Sequence, residues 1–426
     1  MVKSLSEPWQ AKLPLQGVES WILGFIFLFI VGLFNEHLTA VRNLGLYTAL
    51  LLVVLKFISH KQELVADARS MMANTRIPVI LLLCFLCSIL FSSVFPYTKN
   101  FESFASLVDE TRIMIVFFLI VMGVTDRGRL LKVIVYAMVA AMAVCAWHFV
   151  VKDMPELSKL DASFRVSRNY ALYFEFLFPF VFYQLFIEKR LWAKAVIAFV
   201  LLFGSVTLVL SGVRGSWLAV AIELIIVLAY IAYFHRAEIK RFVPYLLLGI
   251  LVVSSFVIYA LVSTNVVKSA FERGVSLNNR DTIVEERLPI FLAHGDLVFG
   301  LGYGGAQYHK FMNDHDAPKT IGRYENGVFI FNRDEPFILQ LFLHFGLLGL
   351  SAAVILFAYM IYDLLRLNKT DGWYGVSILS AFVGVFIVRG LFEGRYLSTL
   401  LFLIILYLIR RSLAINARNT SDRGLT

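Results

Sequence analysis

The stretch "TLVLSGVRGSWLAVAIELIIVLAY", Thr207–Tyr230, is apolar on both sides of one arginine, Arg214. A cation at bilayer depth is costly, by roughly 2.5–3.5 kcal/mol on insertion scales. Gly212 and Gly215 flank Arg214. The stretch therefore reads as two membrane helices joined by a tight turn, Ser211–Gly215, with the arginine at a membrane surface.

The rest of the chain has the same texture. Of 426 residues, 59% are hydrophobic and only 16% charged, against about a quarter charged in ordinary soluble domains. Many apolar runs reach the roughly 20 residues that cross a bilayer. About twelve spans are expected, near 20–36, 41–58, 77–95, 108–125, 130–151, 168–187, 191–211, 215–234, 242–263, 335–364, 373–391 and 395–413. The expected fold class is an all-α polytopic membrane protein, residues 1–426 forming a single membrane domain. The polar start, "MVKSLSEPWQAKLPLQGVES", lacks a cleavable signal pattern, so the first span is expected to direct insertion. The net charge of +9 fits basic loops on a membrane protein rather than a nucleic-acid partner. Cys84, Cys87 and Cys145 all lie in apolar runs. With no other ligands beside the Cys84–Cys87 pair, they read as buried thiols rather than a metal or redox site.

Short-loop charge sets the orientation. Lys61, Arg69 and Arg76, then Arg127, Arg129 and Lys132, then Lys189, Arg190 and Lys194 fall in alternate loops, and Arg236, Lys240, Arg241, Arg366, Lys369, Arg410 and Arg411 continue the series. These loops and both termini are assigned to the cytoplasm. The opposite side holds the Arg214 turn and a large loop, 264–334, expected to form one or two short interfacial helices. Within it "GLGYGG" (Gly300–Gly305) reads as a flexible turn; it lacks the strand and the lysine of a phosphate loop.

That outer side carries more arginines than its orientation predicts. Arg214, Arg168, Arg280, Arg323, Arg333 and Arg389 all fall at its rim, the last three near Asp334, Glu335 and Glu393, and are the candidate substrate-binding residues, a site for a polyanionic lipid headgroup. For Arg165, Arg287, Arg323 and Arg395 the ordinary reading, snorkelling or pairing with a nearby acid, carries most weight. Arg214 has no carboxylate close in sequence, and its planar fork of donors suits a phosphate or pyrophosphate. Glu335, followed by Pro336, begins the tenth span. It reads either as an acid favoured by a helix N-terminus or as a general base. His344, farther along the same span, is expected to be a buried, hydrogen-bonded side chain. His309 and His315, in the loop, are alternatives for the base. No metal-ligand spacing surrounds them, and no metal or other cofactor is expected. Glu175 and Glu223 are the deep charges, expected to pair with neighbouring helices or to stay protonated.

Three segments together resemble the O-antigen ligase and O-antigen polymerase superfamily. "LSGVRGSWLAV" looks like its arginine turn, and "NNRDTIVEERLPIFLAHGDLVFGLGYGG" is similar to its R-x-x-x-W…P-x-x-G-x-G-x-G segment. "EPFILQLFLHFGLLGL" resembles its H-N-x-x-L-x-x-x-x-E-x-G-x-x-G helix. The resemblance spans roughly residues 160–400 and implies a C-type glycosyltransferase architecture in the bacterial inner membrane, with a large periplasmic loop. The implied donor is a glycan on undecaprenyl pyrophosphate, and the implied acceptor is lipid A-core for a ligase or a second lipid-linked repeat for a polymerase. The family's phosphate-binding arginines would fall on Arg214 and Arg280. Its histidine aligns with Glu335 and its asparagine with Pro336, so either the base becomes Glu335 or a loop histidine, or the chain is a divergent member with another acceptor. A polysaccharide or lipid transporter is the reading from another class, and a structural membrane subunit a third.

Overall fold

The computed structural model describes residues 15–97, 101–153, 165–234, 280–332, 335–368, 374–391 and 397–423, with scattered positions between 243 and 259. Its helices are α1 (Leu15–Leu33), α2 (Thr39–Asn74), α3 (Arg76–Val94), α4 (Glu102–Met122), α5 (Arg127–His148), α6 (Arg165–Ile187), α7 (Leu191–Leu210) and α8 (Arg214–Phe234). In the large loop lie α9 (Arg280–His294), α10 (Gly305–Asp314) and a hairpin of β1 (Gly322–Glu325) and β2 (Val328–Phe331). Then follow α11 (Phe337–Asn368), α12 (Gly375–Ala381) and α13 (Leu397–Arg423). Past α12 the chain winds on, first with i→i+5 bonds over Phe382–Val388, then as a tight turn over Arg389–Leu391.

Eleven of the twelve expected spans coincide with helices; the twelfth, 242–263, lies largely outside the described residues. Eight of these helices are long and apolar enough to cross a membrane, and two shorter apolar ones, Gly17–Leu33 and Gly375–Leu391, accompany them. The helix at 108–125 is not among them, because α4 carries Glu102, Asp109, Glu110 and Arg112. Among the described residues the hairpin departs from the all-helical expectation. Asn326 and Gly327 adopt φ +50° and +80°, the left-handed pair that a two-residue hairpin turn requires. Cys84 and Cys87 also differ from expectation. They face outward from α3, and only Cys145 is buried.

Small residues let the helices approach closely. A Cβ on Gly45 of α2 would lie 2.5 Å from the Phe29 nitrogen of α1. Capping follows the usual chemistry: the Asp126 side chain accepts from the Arg129 N–H at 2.9 Å, opening α5. α11 is broken at Gly346, where φ is +62°. A broken helix frees backbone groups that must find partners inside protein. Here the segment before α10 supplies them. Leu301 N–H and Gly302 N–H donate to the carbonyls of Leu343 (2.9 Å) and His344 (3.0 Å). Leu347 N–H donates to Leu297 O at 2.8 Å. "GLGYGG" is therefore a fixed backbone wedge and not the flexible turn expected. His344 is buried as foreseen, its Nδ1 2.8 Å from Gly302 O.

Candidate functional site

Arg214 is the first residue of α8, with Gly212 at φ +67° turning the chain out of α7. The indole of Trp217 donates to Leu208 O at 3.0 Å and ties the two helices together. Arg214 is half-buried. The next two residues, Gly215 and Ser216, receive Arg389. Its Nη1 donates to Ser216 Oγ at 2.6 Å. A Cβ on Gly215 would lie 2.9 Å from Arg389 Cδ, so glycine is needed for the guanidinium to pass. Arg389 is completely buried, and its Nη1 stands 3.8 Å from Glu175 Oε2 of α6.

Glu335 is also buried, just before α11. Its Oε1 accepts from Arg287 Nη1 at 3.2 Å and from the Tyr308 hydroxyl. Arg287 projects from α9, and it too is buried. Its Nη1 also donates to Tyr308 Oη at 2.9 Å, and its Nη2 to Ile321 O at 3.0 Å. The guanidinium carbon lies 5.2 Å from the centre of the Phe331 ring of β2, within cation–π range. Burial, and next the charge of Glu335, push the Tyr308 phenol well above its ordinary range, so it remains a donor at neutral pH. Two elements of the large loop thus converge on one carboxylate, α9 through Arg287 and α10 through Tyr308, and the hairpin backs the Arg287 guanidinium through Phe331.

The two groups meet through the turn Arg389–Leu391. Arg389 fills the space beside Gly215, and a Cβ on Gly390 would lie 3.2 Å from Phe337 Cβ, at the start of α11. The turn therefore touches the Arg214 helix on one side and the Glu335 helix on the other.

The remaining expected residues are placed as follows. Arg323 is exposed on β1 and pairs with Glu325. Arg168 stands in the first turn of α6 and Arg280 opens α9; their side chains, and all of Arg333, lie outside the described residues. His309 follows Tyr308, the two rings 5.9 Å apart and edge to face. His315 lies just past α10, its Nδ1 2.9 Å from Phe311 O and its ring stacked on His294 at 4.7 Å. Glu223 is fully buried, its carboxylate against Gly384. Among the described residues no three His, Cys, Asp or Glu side chains are grouped to hold a metal ion.

Tyr308 is not singled out by the sequence; Arg287 reads there as an ordinary snorkelling or acid-paired side chain, and it pairs with Glu335. The signal for Arg287 was spacing. Ile283, Arg287 and Phe291 recur every four residues and all three are buried, so the arginine stands on the inward face of α9.

Residues 197–354 match the family described as O-antigen ligase. That segment runs from within α7 to within α11 and contains Arg214, Arg280, Arg287, Tyr308 and Glu335. No curated protein matches the chain. This segment, which carries the arginine turn, the glycine-rich wedge and the first part of the broken helix, supports the likeness to the O-antigen ligase and polymerase superfamily.

Proposed function

We propose that the protein is a ligase-type glycosyltransferase. It moves a glycan from undecaprenyl pyrophosphate to lipid A-core at the periplasmic face of the bacterial inner membrane, with both termini cytoplasmic. The observation that carries this reading is the convergence, within and beside the family-matched segment, of a helix-opening arginine and a buried carboxylate held by two donors.

The chemistry follows from the groups. A sugar-1-pyrophosphate leaves readily once the charge developing on the phosphate oxygens is met. Arg214, at the positive end of α8, supplies a guanidinium and lies beside the helix's first N–H groups. Arg168, Arg280 and Arg333 are assigned as further contacts to the pyrophosphate. Arg323, on the exposed face of the hairpin, is assigned to the outer parts of the substrates. Glu335 accepts the proton of an acceptor hydroxyl. The oxygen forms a bond to the anomeric carbon as the carbon–phosphate oxygen bond breaks. The electron pair leaves on the undecaprenyl pyrophosphate. A single displacement of this kind inverts the anomeric centre and calls for no nucleotide or metal. Arg287 and Tyr308 orient the carboxylate, since both donate to the same oxygen. His309, adjacent to Tyr308, is the alternative base.

The test is a chromosomal replacement scored for protein level and lipopolysaccharide ladder together. Arg214→Ala and Glu335→Gln are expected to remove long chains from lipid A-core while these chains persist on undecaprenyl. A core carrying a single repeat in those strains would mark the polymerase reading instead. Normal ladders at normal protein level would remove the site.

A further inference from the structure

We infer that Arg389 is a positioning residue: the turn Arg389–Leu391, buried at Arg389 and Gly390, is the spacer that sets the distance and angle between the Arg214 guanidinium and the Glu335 carboxylate. This rests on the function proposed above and extends it to a group that does not touch the substrates.

Three observations support the assignment. First, Arg389 is completely enclosed. A buried cation offers little direct contact to a diphosphate arriving from a membrane surface, but it holds whatever it bonds. What it bonds is the first turn of α8: its Nη1 reaches Ser216 Oγ at 2.6 Å and its stem lies on Gly215. Both residues immediately follow Arg214.

Second, the guanidinium is anchored from behind. Glu175 of α6 stands 3.8 Å away, and a planar fork between a carboxylate and a hydroxyl is more sharply oriented than an ammonium would be. The strand of chain leading to it is fastened as well. Ser377 Oγ donates to Pro179 O and Ser380 Oγ to Glu223 O, each at 3.0 Å. These bonds tie α12 to α6 and α8. The i→i+5 winding over Phe382–Val388 then rotates the chain so that Arg389 points at α8. Such wide turns cost helix stability and recur where a side chain must be re-aimed.

Third, the next residue faces the other half of the site. Gly390 packs on Phe337, two residues after Glu335. Gly390 thereby seats the turn on α11, and Arg389 aims the Arg214 end of α8 relative to that fixed side.

The test is a double-mutant cycle with the full-length protein in lipid nanodiscs. The donor is an undecaprenyl-pyrophosphate-linked oligosaccharide, the acceptor is purified lipid A-core, and transfer is followed by gel mobility while each substrate is varied. Arg389→Lys keeps the charge and loses the fork. It is expected to lower kcat/KM for the donor about tenfold, as for a lost charged hydrogen bond, and to leave the acceptor KM unchanged. In an Arg214→Lys background, where no fork remains to be aimed, the same change is expected to cost under about twofold, because the two residues act as one unit. Ser216→Ala, which deletes only the hydroxyl, is expected to behave likewise and carries the cycle if Arg389→Lys does not fold. Undiminished, additive losses in the Arg214→Lys background would overturn the inference and leave the proposed site standing. Wild-type donor kinetics in a folded Arg389→Lys protein would do the same. Wild-type kinetics in Arg214→Lys alone would remove the site, and the inference with it.

Discussion

Two buried carboxylates, at opposite ends of the helices by the alternation of the chain, invite comparison. Glu19 of α1 pairs with Lys56 of α2 at 3.3 Å and accepts from the Thr125 and Asp126 N–H groups, each at 2.9 Å. Lys56 also donates to Gly123 O at 3.0 Å. Every one of these bonds runs to a helix or to the tight connector between α4 and α5. Glu335 pairs with Arg287 at 3.2 Å, but its donors come from two helices of the long segment before α11. Those donors are a guanidinium and a phenol, and the guanidinium in turn faces the Phe331 ring. By burial and ion pairing the two sites look alike. They differ in what holds the carboxylate. Glu19 closes a connector with backbone donors as well as side chains, whereas the donors described for Glu335 are side chains, Arg287 and Tyr308. Burial of an ion pair is thus no mark of function by itself.

The sharpest way to break the comparison is to neutralise each carboxylate. Glu335→Gln is expected to lower transfer per folded molecule by about 10²- to 10⁴-fold, the usual contribution of a positioned base, besides lowering the thermal midpoint by depriving Arg287 of its counter-charge. Glu19→Gln is expected to lower the midpoint while transfer per folded molecule is kept. Equal loss of transfer in both variants would make Glu335 another structural clamp.

Removing the cation is the next largest effect. Arg287→Ala and Lys56→Ala each strand a buried carboxylate, at a cost of about 3–5 kcal/mol. Both should lower the unfolding midpoint in detergent. Only the Lys56 variant should recover transfer when folded at low temperature. Recovery by the Arg287 variant would show that Glu335 needs no orienting partner.

How much of this was legible follows the range of the interactions. The spans were readable because an apolar run of sufficient length has few alternatives to a membrane helix. The hairpin was readable too: Asn326–Gly327 stands between Tyr324 and Val328, a left-handed turn pair between strand-forming residues, overlooked amid so much helix. Arg287 was half legible, since its four-residue spacing from Ile283 and Phe291 gave the face but not the partner. Glu335 lies 48 residues away from it in the chain, and no local pattern encodes that pairing. The burial of Arg389 was illegible for the same reason. Its contacts, Ser216 and Glu175, belong to other helices.

The wedge before α10 offers a middle-sized test. Gly346 sits at φ +62°, and a Cβ there would lie 2.2 Å from Val298 O. Gly346→Ala is expected to cost about 1–3 kcal/mol from the backbone alone, with added loss as the 297–302 segment is pushed off α11. Because that segment leads directly into α10 and Tyr308, transfer should fall along with the midpoint. Gly24 offers a control in the same kind of helix, since a Cβ there meets nothing within 4 Å. Gly24→Ala should leave both quantities near wild type.

The smallest expected effect concerns the outer end of α10, where pH should act on the loop and leave the Glu19 clamp alone. Asp314 accepts from Lys310 Nζ at 2.8 Å and from the Tyr97 hydroxyl at 3.1 Å. The Lys310 bond, against a smaller opposing effect of burial, holds the Asp314 carboxyl below its ordinary range. A carboxyl depressed in the folded state adds stability above its unfolded pKa, about 3.9. That stability is lost as pH falls through the lower folded value. Tyr97 shifts the other way, raised by burial first and by its bond to Asp314 next. Its contribution is complete below the unfolded phenol pKa of about 10 and is lost as pH rises beyond it. The tether between Tyr97 and α10 should therefore weaken at both extremes and be constant between them. Asp314→Asn should flatten the acid limb of the midpoint-against-pH curve, and Tyr97→Phe the alkaline limb. Because Asp314 and Lys310 are solvent-exposed, each change should be small and should shrink further in high salt. An acid limb that survives Asp314→Asn unchanged would assign that pH dependence to other carboxylates.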